Sequence, residues 1–493
     1  METTATKNLL AQIPQPEKKL TVLDKIPSFY YKTHMNHLPV TKLLAVLALL
    51  LIGPLSAENQ KPNIVLILSD DQSWTDYSFM GHPVIKTPQL DKLSKQSVTF
   101  RRGYVPTALC RPALNTLATG LYSHQNMITG NDPGRTEKNK QHAERTGKTP
   151  KELLIANVDK NPTLPRLLGQ NGYLSYQCGK WWEGSYQRGG FTHGMTRGYP
   201  EKGGRHGDDG LSIGRKGMKP VFDFIDTAVA AQKPFFVWYA PFMPHTPHSP
   251  PERLLKKYAT ADRPISVAKY YAMCEWFDET CGELITRLDQ KGLSDNTLVI
   301  YVTDNGWIQD PKGPGFTERS KLSAYEGGTR TPIMFSWPGK MKPADRSELC
   351  SSIDIMPTIL AAAGVDIPKR LPGLNLLSNL QEGIAIKRKM IFGENFDHNI
   401  EDVEDPEASL LSRWVIRGDY KLLLTYDGAS GSKYGRKALP KDPQPQLFNL
   451  TADPHEKINL ATKKPELAKE LSGLIHDWYP LKKRQVNTLP RLK

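Results

Sequence analysis

Long apolar runs are scarce in this chain of 493 residues. Leu43 to Ile52 is a run of ten, too short to span a bilayer comfortably. A polytopic membrane protein is therefore excluded, and stable membrane anchoring is not expected. Cysteine is sparse as well, with positions 110, 178, 274, 281 and 350 holding all five. Cys274 and Cys281 share one helical pattern. Seven residues of helix put their Cα atoms about 10.5 Å apart, too far for a bridge, so they are expected as small buried apolar groups. There is no internal repeat, and no Lys/Arg run is long enough to serve as a nucleic-acid arm.

The balance of the chain is that of a soluble protein with a sizeable core. Hydrophobic residues make up 39% and charged residues 24%, which excludes a disordered or collagenous chain. Thirty-nine prolines and 38 glycines predict many turns. Lys and Arg outnumber Asp and Glu by 65 to 51, a net charge of +14. Such a balance suits a polyanionic partner, a sulfated glycan among them, or is simply a basic surface. Lys42 precedes the apolar run, Gly53-Pro54 ends it, and Leu55-Ser56-Ala57 has the small residues of a cleavage site. That pattern predicts a signal peptide starting at Met35 and export to the periplasm or beyond, with residues 1–34 lying ahead of the true start. A cytoplasmic tail followed by a core helix is the alternative. The expected organisation is an N-terminal extension and signal peptide over 1–57, a catalytic domain over 58–375 and a C-terminal subdomain over 376–493.

Three short apolar runs read as buried parallel strands. Pro62–Leu68 ends in Ser69-Asp70-Asp71, Thr297–Val302 ends in Thr303-Asp304-Asn305-Gly306, and Pro234–Tyr239 runs into a Pro-rich segment. Helical patterns over Gln89–Gln96, Leu164–Gln170, Val221–Ala231 and Val267–Lys291 alternate with them. This predicts an α/β fold with a doubly wound sheet, whose ligands bind beyond the carboxyl ends of the strands. Two insertions, 131–162 and 184–217, lack periodicity and are expected as lids or irregular loops; the second holds eleven glycines with His193 and His206. Beyond about residue 375, short strands at Trp414–Ile416, Tyr420–Leu424 and Gln446–Asn449 and a helix near Pro465–Trp478 predict a small α+β subdomain.

Asp70, Asp71, Asp304 and Asn305 all fall at strand ends. Each pair alone reads equally well as a cap or a turn; together they form a hard-oxygen set suited to Ca²⁺ or, less well, Mg²⁺. Cys110 opens a helical pattern in which Pro112 suits the first turn and Gly120 the end. A helix N-terminus there favours negative charge on sulfur, although a buried structural cysteine is also open.

These segments resemble the type I sulfatases of the alkaline-phosphatase superfamily. The resemblance runs from about Asn63 to Leu460, through Asn63–Asp71, Cys110–Tyr122, Gly179-Lys180-Trp181, Pro244–His248, Asp304-Asn305-Gly306, Lys321 with Tyr325–Gly328, and Leu447–Leu460. It implies a large mixed sheet between helices and hydrolysis of a sulfate ester. It further implies oxidation of Cys110 to formylglycine (3-oxoalanine) by a maturation enzyme. Asp70, Asp71, Asp304, Asn305 and the modified Cys110 would hold one Ca²⁺. Lys180, His245 and Lys321 would surround the sulfate, with His245 or Lys321 protonating the departing oxygen. His248 is a weaker choice than His245, and Asp278 on the long helix is assigned to structure.

Two departures from the family pattern stand out. Leu114 replaces the arginine of the Cys-x-Pro-x-Arg signature, and Trp182 replaces a histidine after Gly-Lys-Trp. His193 or His206 could supply the missing histidine. The substrate implied is a sulfated carbohydrate, with Trp181, Trp182 and Trp307 available for sugar stacking or for core packing. A phosphonate or phosphodiester hydrolase and a non-catalytic glycan-binding protein are the competing readings.

Overall fold

The computed structural model describes residues 61–426 and 444–484, and the signal-peptide segment lies outside them. In chain order the strands are β1 (Asn63–Ser69), β2 (Val98–Tyr104), β3 (Asp132–Pro133), β4 (Leu174–Gly179) and β5 (His193–Gly194). They continue with β6 (Phe235–Ala240), β7 (Thr297–Thr303), β8 (Arg330–Ser336), β9 (Ala344–Arg346) and β10 (Cys350–Ser351). The last five are β11 (Met390–Phe396), β12 (Asn399–Ile400), β13 (Leu410–Arg417), β14 (Tyr420–Thr425) and β15 (Gln446–Asn449).

Among the described residues, nine strands form one mixed sheet in the order β10-β2-β8-β7-β1-β6-β4-β5, with β9 beside β2. Four adjacent strands, β7, β1, β6 and β4, run parallel. The expected runs thus become the centre of the sheet. Their apolar content on both faces is what such a position requires. Alternate residues of β1 feed opposite cores. Ile64, Leu66 and Leu68 pack with the Cys110–Thr119 and Ile355–Ala362 helices. Val65 and Ile67 pack with the Lys219–Ala230 and Ile265–Gln290 helices. Both Cys274 and Cys281 lie buried and unbridged on the long helix. Asp278 on the same helix accepts from the backbone N–H of Gln89 (3.1 Å) and Leu90 (2.7 Å), capping the Pro88–Lys95 helix. Its role is structural, as expected.

A second, antiparallel sheet, β11-β13-β14-β15, carries the helix Pro465–Trp478. The sequence pattern missed β11, because Met390-Ile-Phe-Gly-Glu-Asn-Phe alternates poorly; it is held by its ladder to β13. The first insertion is more ordered than its polarity suggests. Thr136 caps a helix over Glu137–Thr146, and Thr149 with Glu152 forms a capping box for Pro150–Ile155. The second insertion remains mostly turns around short elements at Tyr186–Gly189, His193–Gly194 and Asp208–Ser212.

A buried ionic knot ties the small sheet to the segment after Lys321. Lys421 on β14 contacts Glu326 (3.1 Å) and Glu456 (3.0 Å), and all three are almost fully buried. Burial pushes the Glu456 carboxyl up to about 7, with Lys421 opposing. Replacing Lys421 by Met strands two buried carboxylates without their shared cation. Chemical denaturation should show a loss of about 3–5 kcal/mol. Adding Glu456→Gln to Lys421→Met should recover part of that loss.

Candidate active site

The four parallel strands end together, and each delivers a polar residue to the same place. β1 leads into Asp70 and Asp71, β7 into Asp304 and Asn305, β4 into Lys180, and β6 into the loop bearing His245. Ser69 pairs with Thr303 in the ladder, so the two acidic turns lie side by side. Gly179 lets β4 approach β6, since a Cβ there would sit 1.8 Å from the Ala240 carbonyl oxygen. Asp71 adopts a left-handed backbone (φ 65°), a conformation Asp tolerates better than most residues. The Tyr270 hydroxyl, which donates to Asp76 Oδ2 at 2.7 Å, packs 3.2 Å from the Asp71 carbonyl oxygen.

Cys110 is the first residue of its helix, as expected, and lies 3.0 Å from Lys321 Nζ and 4.0 Å from Asp71 Oδ1. Lys321 Nζ also donates to both Asp71 oxygens, at 2.6 and 2.7 Å. Lys180 Nζ donates to Asp70 Oδ1 at 2.8 Å. His245 Nε2 stands 3.3 Å from Asp71 Oδ2, while its Nδ1 is 2.6 Å from the Thr246 carbonyl. Asn305 Nδ2 donates to Asp71 Oδ1 at 2.7 Å, and the Asp71 backbone N–H donates to Asp304 Oδ1 at 3.0 Å. Donor atoms of Asp70, Asp71, Cys110 and His245 all lie within 4.8 Å of one another. Asp70 Oδ2, Asp304 Oδ2 and Asn305 Oδ1 are buried and lack a hydrogen-bond partner. Three oxygen atoms left so are what a hard cation would satisfy.

Burial raises the Asp70 and Asp304 carboxyls above their usual range, with Lys180 opposing. Burial works against charge on Lys180 and Lys321 too, but Asp70 and Asp71 respectively override it and hold both ammonium groups above their ordinary value. Burial and then the two lysines push His245 well down, so its imidazole is neutral near pH 7. The helix N-terminus does not rule at Cys110, where burial pushes the thiol up to about 12 against Lys180 and Lys321.

His206 lies beside this cluster. Its ring packs 5.0 Å from Trp182 and 5.5 Å from Phe242, and Phe242 stacks 4.3 Å from His245. Burial and then Lys180 depress it to about 3. His193 is elsewhere. It sits on edge strand β5 against Phe224, bonded to Thr192, because its register opposite Tyr176 stops short of the end of β4. His248 is near, packing against Tyr270 and Trp307 with its Nε2 buried and unpartnered. Trp181, Trp182 and Trp307 are all buried, so of the two readings open for them core packing holds. Leu114 is buried in the main core, one turn beyond Cys110. Arg111 does not take the signature arginine's place: its guanidinium is spent on Glu183.

Comparison with known proteins bears on this arrangement. The Sulfatase family model matches residues 62–365, and a model for the N-sulphoglucosamine sulphohydrolase C-terminal region matches 319–477. The chain belongs to the sulfatase family. It is 25% identical to N-acetylgalactosamine-6-O-sulfatase of Bacteroides thetaiotaomicron, over 85% of this chain and 93% of that one. It is 30% identical to the dog N-acetylgalactosamine-6-sulfatase, over 71% and 72%. A solved 6S-sulfatase from a B. thetaiotaomicron glycosaminoglycan locus shares the fold at a TM-score of 0.66 and 24% identity, over 85% of this chain and 99% of that one. The protein is a sulfuric ester hydrolase of the alkaline-phosphatase superfamily.

Two residues that sequence reasoning passed over shape this sulfatase's site. Arg215 donates to the carbonyls of Phe242 (2.6 Å) and His245 (2.8 Å) and pins the histidine loop. Glu183, three residues past Lys180, accepts two bonds from Arg111 (2.7 and 2.6 Å) and one from Asn115 (2.7 Å), all fully buried. This joins the Cys110 helix to the segment carrying Lys180. The only signal in the sequence was a charge at positions 111 and 183 inside apolar surroundings. Glu183→Gln keeps the shape and removes the charge. Per mole of modified Cys110, it should lower kcat about 10- to 100-fold with KM within twofold. Replacing the pair by Arg111→Met with Glu183→Leu should restore Tm without restoring kcat.

Proposed function

We propose that this sulfatase removes sulfate from a sulfated carbohydrate, with Cys110 converted to formylglycine and one Ca²⁺ held by Asp70, Asp71, Asp304 and Asn305. The observation that carries this reading is the set of buried, unpartnered oxygens of Asp70, Asp304 and Asn305 beside Cys110 and two lysines. A thiol is a soft neighbour for such a hard-oxygen set, whereas the oxygens of a hydrated aldehyde match it. When bound, the cation neutralises sulfate charge and the formylglycine supplies an oxygen nucleophile.

The chain's own residues do the remaining work. Lys180 and Lys321 stay charged and offset the repulsion that an anionic ester meets near three carboxylates. Lys321 Nζ, 3.0 Å from the position of the nucleophile, holds the proton nearest the reacting atoms. His245 donates its Nδ1 proton to the Thr246 carbonyl, which leaves the Nε2 lone pair 3.3 Å from Asp71 Oδ2 and no proton on that side of the ring. We assign the proton for the departing alkoxide to Lys321, since His245 is held neutral. The carbohydrate substrate is supported by the glycosaminoglycan-type names of the relatives and by the +14 net charge. Export is supported by the Lys42-led apolar run. Among the described residues no helix is long and apolar enough to cross a membrane.

Peptide mass spectrometry across Cys110, on protein from its native host, should show the aldehyde mass despite Leu114. That protein should cleave aryl sulfates faster than aryl phosphates. An unmodified thiol throughout would overturn this reading in favour of glycan binding alone. Chelation should abolish turnover, and Ca²⁺ should restore it better than Mg²⁺. In modified protein, Lys321→Ala should lower kcat at least 10²-fold, a loss of about 3 kcal/mol in transition-state stabilisation.

A further inference from the structure

The first insertion lines a cavity that the reading above does not use. Its volume is about 630 Å³, and Asp132, Arg135, Asn139, Thr149 and Lys151 are among its lining residues. One chain link joins it to the cluster: Asn131, just before Asp132, accepts from the backbone N–H of Arg111, the residue after Cys110, at 3.0 Å. Asn131 also meets His398 Nε2 at 3.3 Å. On the other side, Asp132 accepts from Arg205 Nε at 2.8 Å, and that guanidinium lies 4.7 Å over Trp182, the neighbour of His206.

Its lining carries Arg135, Lys140 and Lys151 against Asp132 and Glu137, and Lys140 lies 3.9 Å from Glu144. Asp132 is neutralised by Arg205. Neither Arg135 nor Lys151 has an ion-pair partner among the described residues. Lys151 is half-buried, with its ammonium 4.9 Å over the Tyr199 ring, and burial lowers its pKa. Its charge and that of Arg205 both reach His206 beside Lys180. Lys151 forms no ion pair, and the carboxylate it feels most strongly, Asp132, is already bound to Arg205, so a half-buried ammonium in a cavity large enough for a sugar leaves room for an anion.

We propose that this cavity is a subsite for an anionic substituent, a carboxylate or a second sulfate, on the sugar adjoining the one that loses its sulfate. Lys151 and Arg135 would hold that group. The inference rests on the reading of the protein as a carbohydrate sulfatase and narrows its substrates to chains with acidic neighbours. It also gives the first insertion a task, since Arg135 and Lys151 both come from it.

The test is steady-state kinetics of the modified enzyme on 4-nitrophenyl sulfate and three disaccharides. In these, one sulfated hexosamine adjoins a neutral sugar, a uronic acid or a second sulfated sugar. Lower KM for the charged pair is expected, with Lys151→Met and Arg135→Met each raising it about tenfold. Both variants should turn over 4-nitrophenyl sulfate as the unaltered enzyme does. A response confined to the uronic acid or to the second sulfate identifies which group is read. Equal KM for charged and neutral disaccharides, unmoved by either variant, overturns the subsite while leaving the sulfatase reading intact. If no substrate is turned over, that reading fails first. Calorimetric titration of the same disaccharides into Cys110→Ala protein then decides the subsite, and a charged-over-neutral preference below twofold overturns it. Should Lys151→Met fail to fold, exposed Arg135 carries the same comparison.

Discussion

Everything in this structure answers to one electrostatic constraint: three carboxylates and two ammonium groups buried at a single point. Taking any one of those charges out of water alone would cost several kcal/mol. Together they are tolerable because two of the carboxylates are each paired with a lysine and the third, Asp304, accepts from the backbone N–H groups of Asp71 and Asn305. Lys321 grips both oxygens of Asp71, and Lys180 grips Asp70. Even so, negative charge is in excess, and the carboxyls of Asp70 and Asp304 are held above their normal range. A further positive charge is what the cluster lacks, which is why its unpartnered oxygens point to a cation rather than to solvent.

The sheet meets that constraint by geometry. Four parallel strands in contact must end within a few ångströms of one another, since neighbouring strands lie about 4.8 Å apart. The turns that follow them are then forced together, and the left-handed Asp71 and the close approach at Gly179 are the local costs. Around this lies a second tier of buried pairs. Arg111 with Glu183 fixes the Cys110 helix against the Lys180 segment. Lys421 with Glu326 and Glu456 fixes the segment after Lys321 against the small sheet. Such pairs add little net stability. Each fixes where a side chain of the cluster stands.

Much of this was legible from the residues. The runs ending in Asp70-Asp71 and Asp304-Asn305 read as central strands because continuous apolar sequence bounded by polar turns has few other solutions. The long helix, the cysteines on it and Asp278 behaved as expected. The failures have common causes. β11 was missed because a strand paired on a small sheet need not alternate. The helices of the first insertion were missed because their polar faces hide the period, although the caps Thr136 and Thr149 were there to be seen. The helix N-terminus at Cys110 was real, but burial, which no local pattern reveals, raises the thiol there against Lys180 and Lys321.

The sequence by itself determined the family, the order of the strands' acidic ends and the identity of the charged set, because short apolar runs and their terminal residues are local properties. Only the tertiary structure decided which residues touch. It placed His206 beside the cluster and left His193 on an outer strand, although both lie in one glycine-rich stretch. It buried the tryptophans, deciding for core packing over sugar stacking. It bound Arg111 to Glu183 and packed Leu114 into the core. Contacts between residues seventy or more positions apart are set by strand order and packing, which no local pattern encodes.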